Sequence, residues 1–197
     1  MIIDMQSAVV FIHGKGKHKS HWNVTEFGKV TNIENTISKS AKTFLLQVDN
    51  FDLHPKEVIE PFISEMEKYK CVIVCHSLAI VYAWEILKCI PVIGLCLIDT
   101  TALDIYSKNE TVPNYIKEIV WNIPNKLVVH VHLNYTLDKL TDFDEQVSYY
   151  TPFIRKNEKS NMMIHPYKSH MLHYSDSPKI IESIKLLLNL DRRNRKS

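Results

Sequence analysis

Six runs of apolar residues recur along the chain, and each is long enough to form a strand. They cover residues 8–13, 44–48, 71–75, 93–99, 126–133 and 162–165. Within most of these runs the apolar residues follow one another without alternation, which is typical of strands that are covered on both faces. We therefore predict a mostly parallel sheet of six strands with helices packed on both sides.

Helical patterns occupy the segments between these runs. Residues 55–69 carry apolar side chains at helical spacing, and residues 78–89 form a helix-favouring segment directly after Ser77. Residues 113–121 and 178–188 each begin with a proline, which is favoured in the first turn of a helix. Residues 32–42 show a weaker helical pattern. Strands that alternate with helices predict an α/β fold with right-handed crossovers. We expect one domain over residues 1–190, followed by a basic tail over residues 191–197.

Composition and charge narrow the class of protein. A hydrophobic content of 45% and a charged content of 23% are ordinary for a globular domain, and the net charge of +2 gives no reason to expect a nucleic-acid partner. The chain shows no signal peptide and no apolar stretch long enough for a membrane span. Its four cysteines lack C-x-x-C spacing, which indicates free thiols in a reducing compartment. We expect a cytoplasmic protein.

His76 and then Ser77 follow the third apolar run, and helix-favouring residues come directly after the serine. A serine at a sharp turn from strand to helix, with small residues two positions away on each side, is the pattern of a nucleophile elbow. Such a turn projects the hydroxyl from the sheet, and the N–H groups that follow can stabilise an oxyanion. The outer positions of the pattern are usually glycine, and here they are Cys75 and Ala79.

The first apolar run ends in His13-Gly14-Lys15-Gly16. A glycine turn at the end of a strand leaves a backbone N–H exposed, and this group could supply half of an oxyanion hole. We assign the two donors to the backbone N–H groups of Lys15 and Leu78. The alternative is an ordinary glycine turn. The spacing of a phosphate-binding P-loop is not present in this segment.

A general base and an acid are expected on two later loops. The histidine-rich loop after the sixth run would place an imidazole at the carboxyl edge of the sheet, where Ser77 needs a base. We favour His170, with His173 as the alternative. An acid on the loop after the fifth run would orient this base. We choose Asp138, and the competing acids are Asp99, Asp142 and Asp144.

Together these motifs resemble those of the α/β-hydrolase superfamily, from about residue 8 to residue 187. The resemblance rests on His13-Gly14-Lys15-Gly16 followed by Trp22, on His76-Ser77-Leu78, on Leu97-Ile98-Asp99-Thr100, and on Ser169-His170-x-x-His173 before Pro178. It implies the sheet order 2-1-3-4-5-6 in the order of the predicted strands, without the family's leading antiparallel hairpin and with a minimal lid. The site would then lie where the strand order reverses, which is where open α/β sheets bind their ligands.

The resemblance implies a serine hydrolase that acts on a small or medium carboxylic ester or a related acyl compound. Ser77, His170 and Asp138 would form its triad, and no metal or organic cofactor would be needed. One alternative is a binding or interaction protein that keeps the fold without catalysis, because a fold alone does not determine function. Another is a lyase or an acyl transferase that uses the same triad.

Overall fold

The computed structural model describes residues 5–14, 19–23, 25–26, 29–30, 32–51, 53–100, 124, 126–134, 143–166 and 177–194. The strands in this part of the chain are β1 Ser7–Ile12, β2 Thr25–Glu26, β3 Lys29–Val30, β4 Lys42–Leu46, β5 Lys70–His76, β6 Val92–Ile98, β7 Val128–Asn134 and β8 Asn161–His165. The α-helices are α1 Ile33–Ile37, α2 Pro55–Met66, α3 Ile80–Cys89, α4 Phe143–Arg155 and α5 Ser177–Asn194. Short 3₁₀ turns cover Lys19–Asn23 and Ser77–Ala79.

Six of these strands form one sheet in the order β4-β1-β5-β6-β7-β8, and every neighbouring pair is parallel. The predicted fold class and the predicted strand order are both confirmed. The order reverses between β1 and β5, because β1 pairs with β4 on one side and with β5 on the other. β2 and β3 form a separate antiparallel ribbon, which the apolar pattern did not predict.

The sheet is buried on both faces, which explains its continuous apolar runs. Successive side chains of a strand point to opposite faces. Val9 and Phe11 of β1 therefore pack in the layer that holds the buried residues of α1 and α5. Val10 and Ile12 pack in the opposite layer, with the buried residues of α2, α3 and α4.

Several predicted helix boundaries are corrected by the structure. The helix expected over residues 32–42 covers only Ile33–Ile37, because Lys42 already begins β4. Residues 143 and 144, expected in a loop, begin α4 instead. The positive end of the helix dipole stabilises the acidic side chains in this first turn. The last helix continues to Asn194, into the segment expected to be a tail. The helix predicted over residues 113–121 lies outside the described residues.

The described part of the chain contains no disulfide bond and no membrane-spanning helix. All four cysteines are free thiols, three of them buried and Cys89 exposed. No helix within the described ranges has both the length and the apolar content that a bilayer crossing requires.

Candidate active site

Ser77 follows the last residue of β5 directly and has a backbone φ of 56°. This is the left-handed region, which costs a residue with a Cβ about 1–2 kcal/mol. The chain then enters a 3₁₀ turn and continues into α3. A strained serine between a strand and a helix is the geometry that a nucleophile elbow requires.

The outer positions of this turn are filled by small, buried side chains. Cys75 and Ala79 are both completely buried and belong to the same apolar cluster. Burial raises the pKa of the Cys75 thiol well above its ordinary value, and the nearby Cys96 raises it further. A protonated thiol is a weak nucleophile, so the buried Cys75 sulfur is poorly suited to react at this turn.

Gly14 lies against Ser77, at the carboxyl ends of the two strands where the sheet order reverses. A Cβ at position 14 would come within 2.8 Å of His76 Nδ1 and 3.1 Å of Ser77 Cβ. A side chain at position 14 would therefore force the loop after β1 or the turn at His76 and Ser77 to shift. Gly14 thus packs closely against the serine. Lys15, the predicted oxyanion donor on this loop, lies outside the described residues.

Aromatic rings pack around the far end of the same loop. The ring of His21 lies 5.5 Å from that of His76 and 5.8 Å from that of Trp22. Trp22 is completely buried, and its ring lies 5.3 Å from that of Phe11 in β1. These contacts hold Trp22 against β1 and His21 against His76, the residue that precedes Ser77.

Asp99 is a buried carboxylate at the end of β6, next to the strand that precedes Ser77. Its Oδ1 accepts a hydrogen bond of 2.9 Å from the backbone N–H of Asn134, and its Oδ2 accepts one of 3.3 Å from Asn134 Nδ2. Its φ is 44°, which is also left-handed. Asn134 is the last residue of β7. Asp99 therefore holds the carboxyl end of β7 against the end of β6.

The other predicted site residues divide into two groups. Asp144 is exposed in the first turn of α4, where its charge favours the helix N-terminus, and this corrects its assignment to a loop. The remaining four candidates for the base and the acid, namely His170, His173, Asp138 and Asp142, lie outside the described residues. Leu78 is buried in the 3₁₀ turn directly after the serine.

Sequence reasoning missed a buried chain of polar groups beneath the carboxyl edge of the sheet. His132 Nδ1 lies 3.1 Å from His165 Nε2, and His132 Nε2 lies 2.9 Å from Ser183 Oγ. All three side chains are completely buried, so this chain ties β7, β8 and α5 together. The signal was the alternation of polar residues at positions 130, 132 and 134 in an otherwise apolar strand.

No cluster of three or more histidine, cysteine, aspartate or glutamate side chains suited to a metal ion occurs within the described ranges. No protein-family model matches the chain. No curated protein matches it either.

Solved structures do match. A methylesterase from Arabidopsis superposes with a TM-score of 0.61 at 11% identity, over 93% of this chain and 99% of that one. An esterase from Pyrococcus furiosus gives a TM-score of 0.62 at 10% identity, over 94% of this chain and 82% of that one. A thioesterase from the prodiginine biosynthetic pathway of Streptomyces coelicolor superposes with a TM-score of 0.61 at 9% identity, over 93% of this chain and 87% of that one.

These structures superpose on this one over nearly the whole chain. The chain therefore has the α/β-hydrolase fold, and the resemblance indicated by its motifs is confirmed at the level of the fold. At about one residue in ten identical, the similarity establishes the architecture alone.

Proposed function

We propose that the protein is a serine hydrolase that cleaves carboxylic esters or related acyl compounds, with Ser77 as its nucleophile. The observation that carries this proposal is the backbone of Ser77, whose φ is 56° at the end of the central strand β5. Strain of this kind persists only where the surrounding structure imposes it, and it is concentrated at functional sites.

Two further features support the same assignment. Gly14 packs so closely against Ser77 that an added Cβ would lie 3.1 Å from Ser77 Cβ, which suits a loop that contributes an N–H group to an oxyanion hole. Both residues lie at carboxyl ends of strands where the sheet order reverses, the usual ligand-binding position of this fold class.

In this proposal Ser77 Oγ attacks the acyl carbon, and His170 accepts the hydroxyl proton. The new Oγ–C bond forms a tetrahedral oxyanion, which the N–H groups of Lys15 and Leu78 stabilise. His170 returns the proton to the leaving group as its bond to the acyl carbon breaks. Water then attacks the acyl-enzyme by the same route and restores Ser77. Asp138 holds the imidazole in the required tautomer.

The structural neighbours indicate which substrates to assay first. They include a methylesterase, an esterase and a thioesterase. An enzyme with any of these names transfers an acyl group to water from an oxygen or a sulfur leaving group. Esters and thioesters with short and medium acyl chains are therefore the first substrates to assay, and amides, which are harder to hydrolyse, serve as the comparison. We expect Ser77→Ala to abolish hydrolysis of every active substrate, whereas Ser38→Ala, at an exposed serine of the turn after α1, retains it.

The identity of the triad acid is tested by a pair of variants. If Asp138 orients the base, Asp138→Asn lowers kcat by about 10⁴-fold, because the asparagine favours the wrong imidazole tautomer. Asp99→Asn weakens the bonds to Asn134 and causes a much smaller fall. The reverse order of effects would assign the acid to Asp99, at the end of β6.

A further inference from the structure

Two histidines on neighbouring strands are joined by a direct contact between their rings. His132 lies in β7 and His165 ends β8, and His132 Nδ1 is 3.1 Å from His165 Nε2. The ring planes differ by 21°, and both side chains are completely buried. The other nitrogen of His132 lies 2.9 Å from the hydroxyl oxygen of Ser183 in α5. Because β8 is the last strand of the sheet, the histidine pair attaches the end of an edge strand to β7.

The contact between the rings needs one proton between the two facing nitrogens. A neutral imidazole has one nitrogen that donates and one that accepts, so a neutral pair places a single N–H between them. One added proton leaves the contact intact, because an imidazolium still donates to the lone pair of its neutral neighbour. With a second added proton, two N–H groups face each other over 3.1 Å. The doubly protonated pair therefore cannot keep this geometry.

The neighbouring strands surround the pair with groups that are neutral or bonded elsewhere. On β7 the adjacent His130 is also buried and is bonded to a backbone carbonyl. β6 contributes the thiol of Cys96, which burial keeps protonated by raising its pKa. Directly after β6, the carboxylate of Asp99 accepts two bonds from Asn134. β8 itself carries no acidic or basic side chain apart from His165.

The helices on the two faces of the sheet carry their charged groups mostly in solvent. α5 packs over the face that holds the pair, and α4 packs over the opposite face. In the layer of α5, the buried Glu34 of α1 accepts hydrogen bonds from Asn23 and Thr43. The described charged side chains of the other two helices are exposed: Lys179, Glu182 and Lys185 on α5, and Asp144, Glu145 and Arg155 on α4. Two like charges on the pair would therefore repel each other strongly in this interior of low dielectric constant.

We propose that His132 and His165 form an acid-sensitive contact: the pair holds the end of β8 against β7 while it carries at most one added proton, and a second proton separates the rings. His165 is the ring that moves, because β8 is bonded to the sheet on one side only in the described part of the chain. The bond from His132 to Ser183 survives, since a protonated Nε2 still donates to the hydroxyl oxygen. This behaviour does not depend on the proposed serine chemistry.

Two glutamine variants separate this contact from other effects of acid. His165→Gln keeps a neutral amide that can donate to His132 Nδ1 or accept from it, but the amide cannot take up the second proton. His130→Gln is the matched control, because it removes another buried histidine, which is bonded to the carbonyl of Lys159 instead. Hydrogen exchange of the amides of residues 161–165, followed by mass spectrometry, reports the opening of β8. It is measured at pH values at which circular dichroism shows the native fold.

The open form binds more protons than the closed form, so opening increases as the pH falls. After correction for intrinsic exchange rates, the protection of these amides in the wild type should fall by about 10- to 30-fold from pH 7.5 to pH 5, because a released imidazole titrates near pH 6.5. We expect the same fall in His130→Gln, and a fall of less than about threefold in His165→Gln. Protection that does not change with pH in the wild type, or a fall in His165→Gln as large as that in the wild type, would overturn the proposal.

A second measurement uses the wild type alone and decides the case in which His165→Gln does not fold. Long-range ¹⁵N–¹H correlations of the two rings, assigned through their backbone resonances, should show a single proton between His132 Nδ1 and His165 Nε2 at neutral pH. On acidification the pair should protonate in two separate steps, and the second step should coincide with the loss of amide protection in β8. A single step in which both rings take up their protons together, with the protection of β8 retained, would overturn the proposal.

Discussion

Ser77 holds a backbone conformation that is costly for serine and easily reached by glycine. Ser77→Ala removes the hydroxyl and keeps this strain, whereas Ser77→Gly removes both. The greater freedom of glycine in the unfolded chain offsets part of the gain. We expect Ser77→Gly to be more stable than Ser77→Ala by about 1 kcal/mol in urea unfolding, with both inactive. Equal stability, or a less stable glycine variant, would mean that residue 77 carries no such strain.

The four thiols should differ sharply in reactivity, because the thiolate is the reacting species. Burial raises the pKa of the Cys71 thiol to about 12 and also raises those of Cys75 and Cys96. Cys89 is exposed near the end of α3. We expect an aromatic disulfide reagent to titrate one thiol per native chain rapidly at pH 8 and all four after denaturation. Cys89→Ser should lose the rapid phase, and a second rapid thiol would contradict the burial described here.

At the scale of single residues, the serine and its small neighbours could be read from the sequence, because an elbow needs those residue types at fixed spacing. The role of Asp99 could not. Its contact with Asn134 depends on the register between β6 and β7, which pairs Ile98 with His132. No local pattern specifies which residues of two distant strands lie side by side.

Two glycines test how closely the elements pack. An alanine at position 14 would come within 3.1 Å of Ser77 Cβ and 2.8 Å of the His76 ring, so the loop after β1 must move away from the serine. We expect Gly14→Ala to lower kcat by about 10- to 100-fold. Gly94→Ala is the matched control, because its Cβ would meet Leu187 of α5 at 2.7 Å, near the start of β6 and away from the carboxyl ends of β1 and β5.

Both variants should lose about 1–3 kcal/mol of unfolding free energy, as overpacked interiors do. They should differ in kcat per labelled serine, which Gly94→Ala keeps near the wild-type value. If Gly94→Ala lost as much kcat as Gly14→Ala, the effect would belong to overpacking in general and not to the loop beside Ser77.

The helices α3 and α4 show why one helix can be predicted from the sequence and another cannot. The helix after Ser77 was predictable because Ile80, Tyr82 and Trp84 belong to a long apolar run. α4 was missed, although Val147, Tyr150 and Phe153 recur at helical spacing. Pro152 lies inside α4 and removes one backbone donor, which normally argues against a helix. Packing of the buried Tyr150, whose hydroxyl bonds to Thr100 at the end of β6, stabilises the helix despite this proline.

For the whole molecule, the parallel sheet followed from the apolar runs, whereas its order followed from the family resemblance. Periodicity shows which residues are buried, and it does not show which strands are neighbours. The order determines the function proposed here, because it brings the end of β1 beside the end of β5. Gly14 and Ser77 are 63 residues apart in the chain and meet only for this reason.

The stability of the whole molecule should fall as the solution is acidified below neutral pH. Burial lowers the pKa of His130, although its bond to the Lys159 carbonyl opposes the shift. Below about pH 6.5 the unfolded chain takes up a proton that the folded protein resists, so the free energy of unfolding decreases. We expect His130→Gln to lose less of this free energy than the wild type between pH 7.5 and pH 5 in urea titrations. Parallel curves for the two proteins would contradict the lowered pKa.

The most direct test of the central claim is a count of the serines that react with a fluorophosphonate probe. Intact-mass spectrometry of the folded protein should show the addition of one phosphonyl group, and peptide mapping should locate it at Ser77. Ser77→Ala should remain unmodified under the same conditions, while Ser38→Ala should react as the wild type does. If the folded wild type is not modified, or if Ser77→Ala is modified equally, then Ser77 is not a catalytic nucleophile and the protein is not the serine hydrolase proposed here.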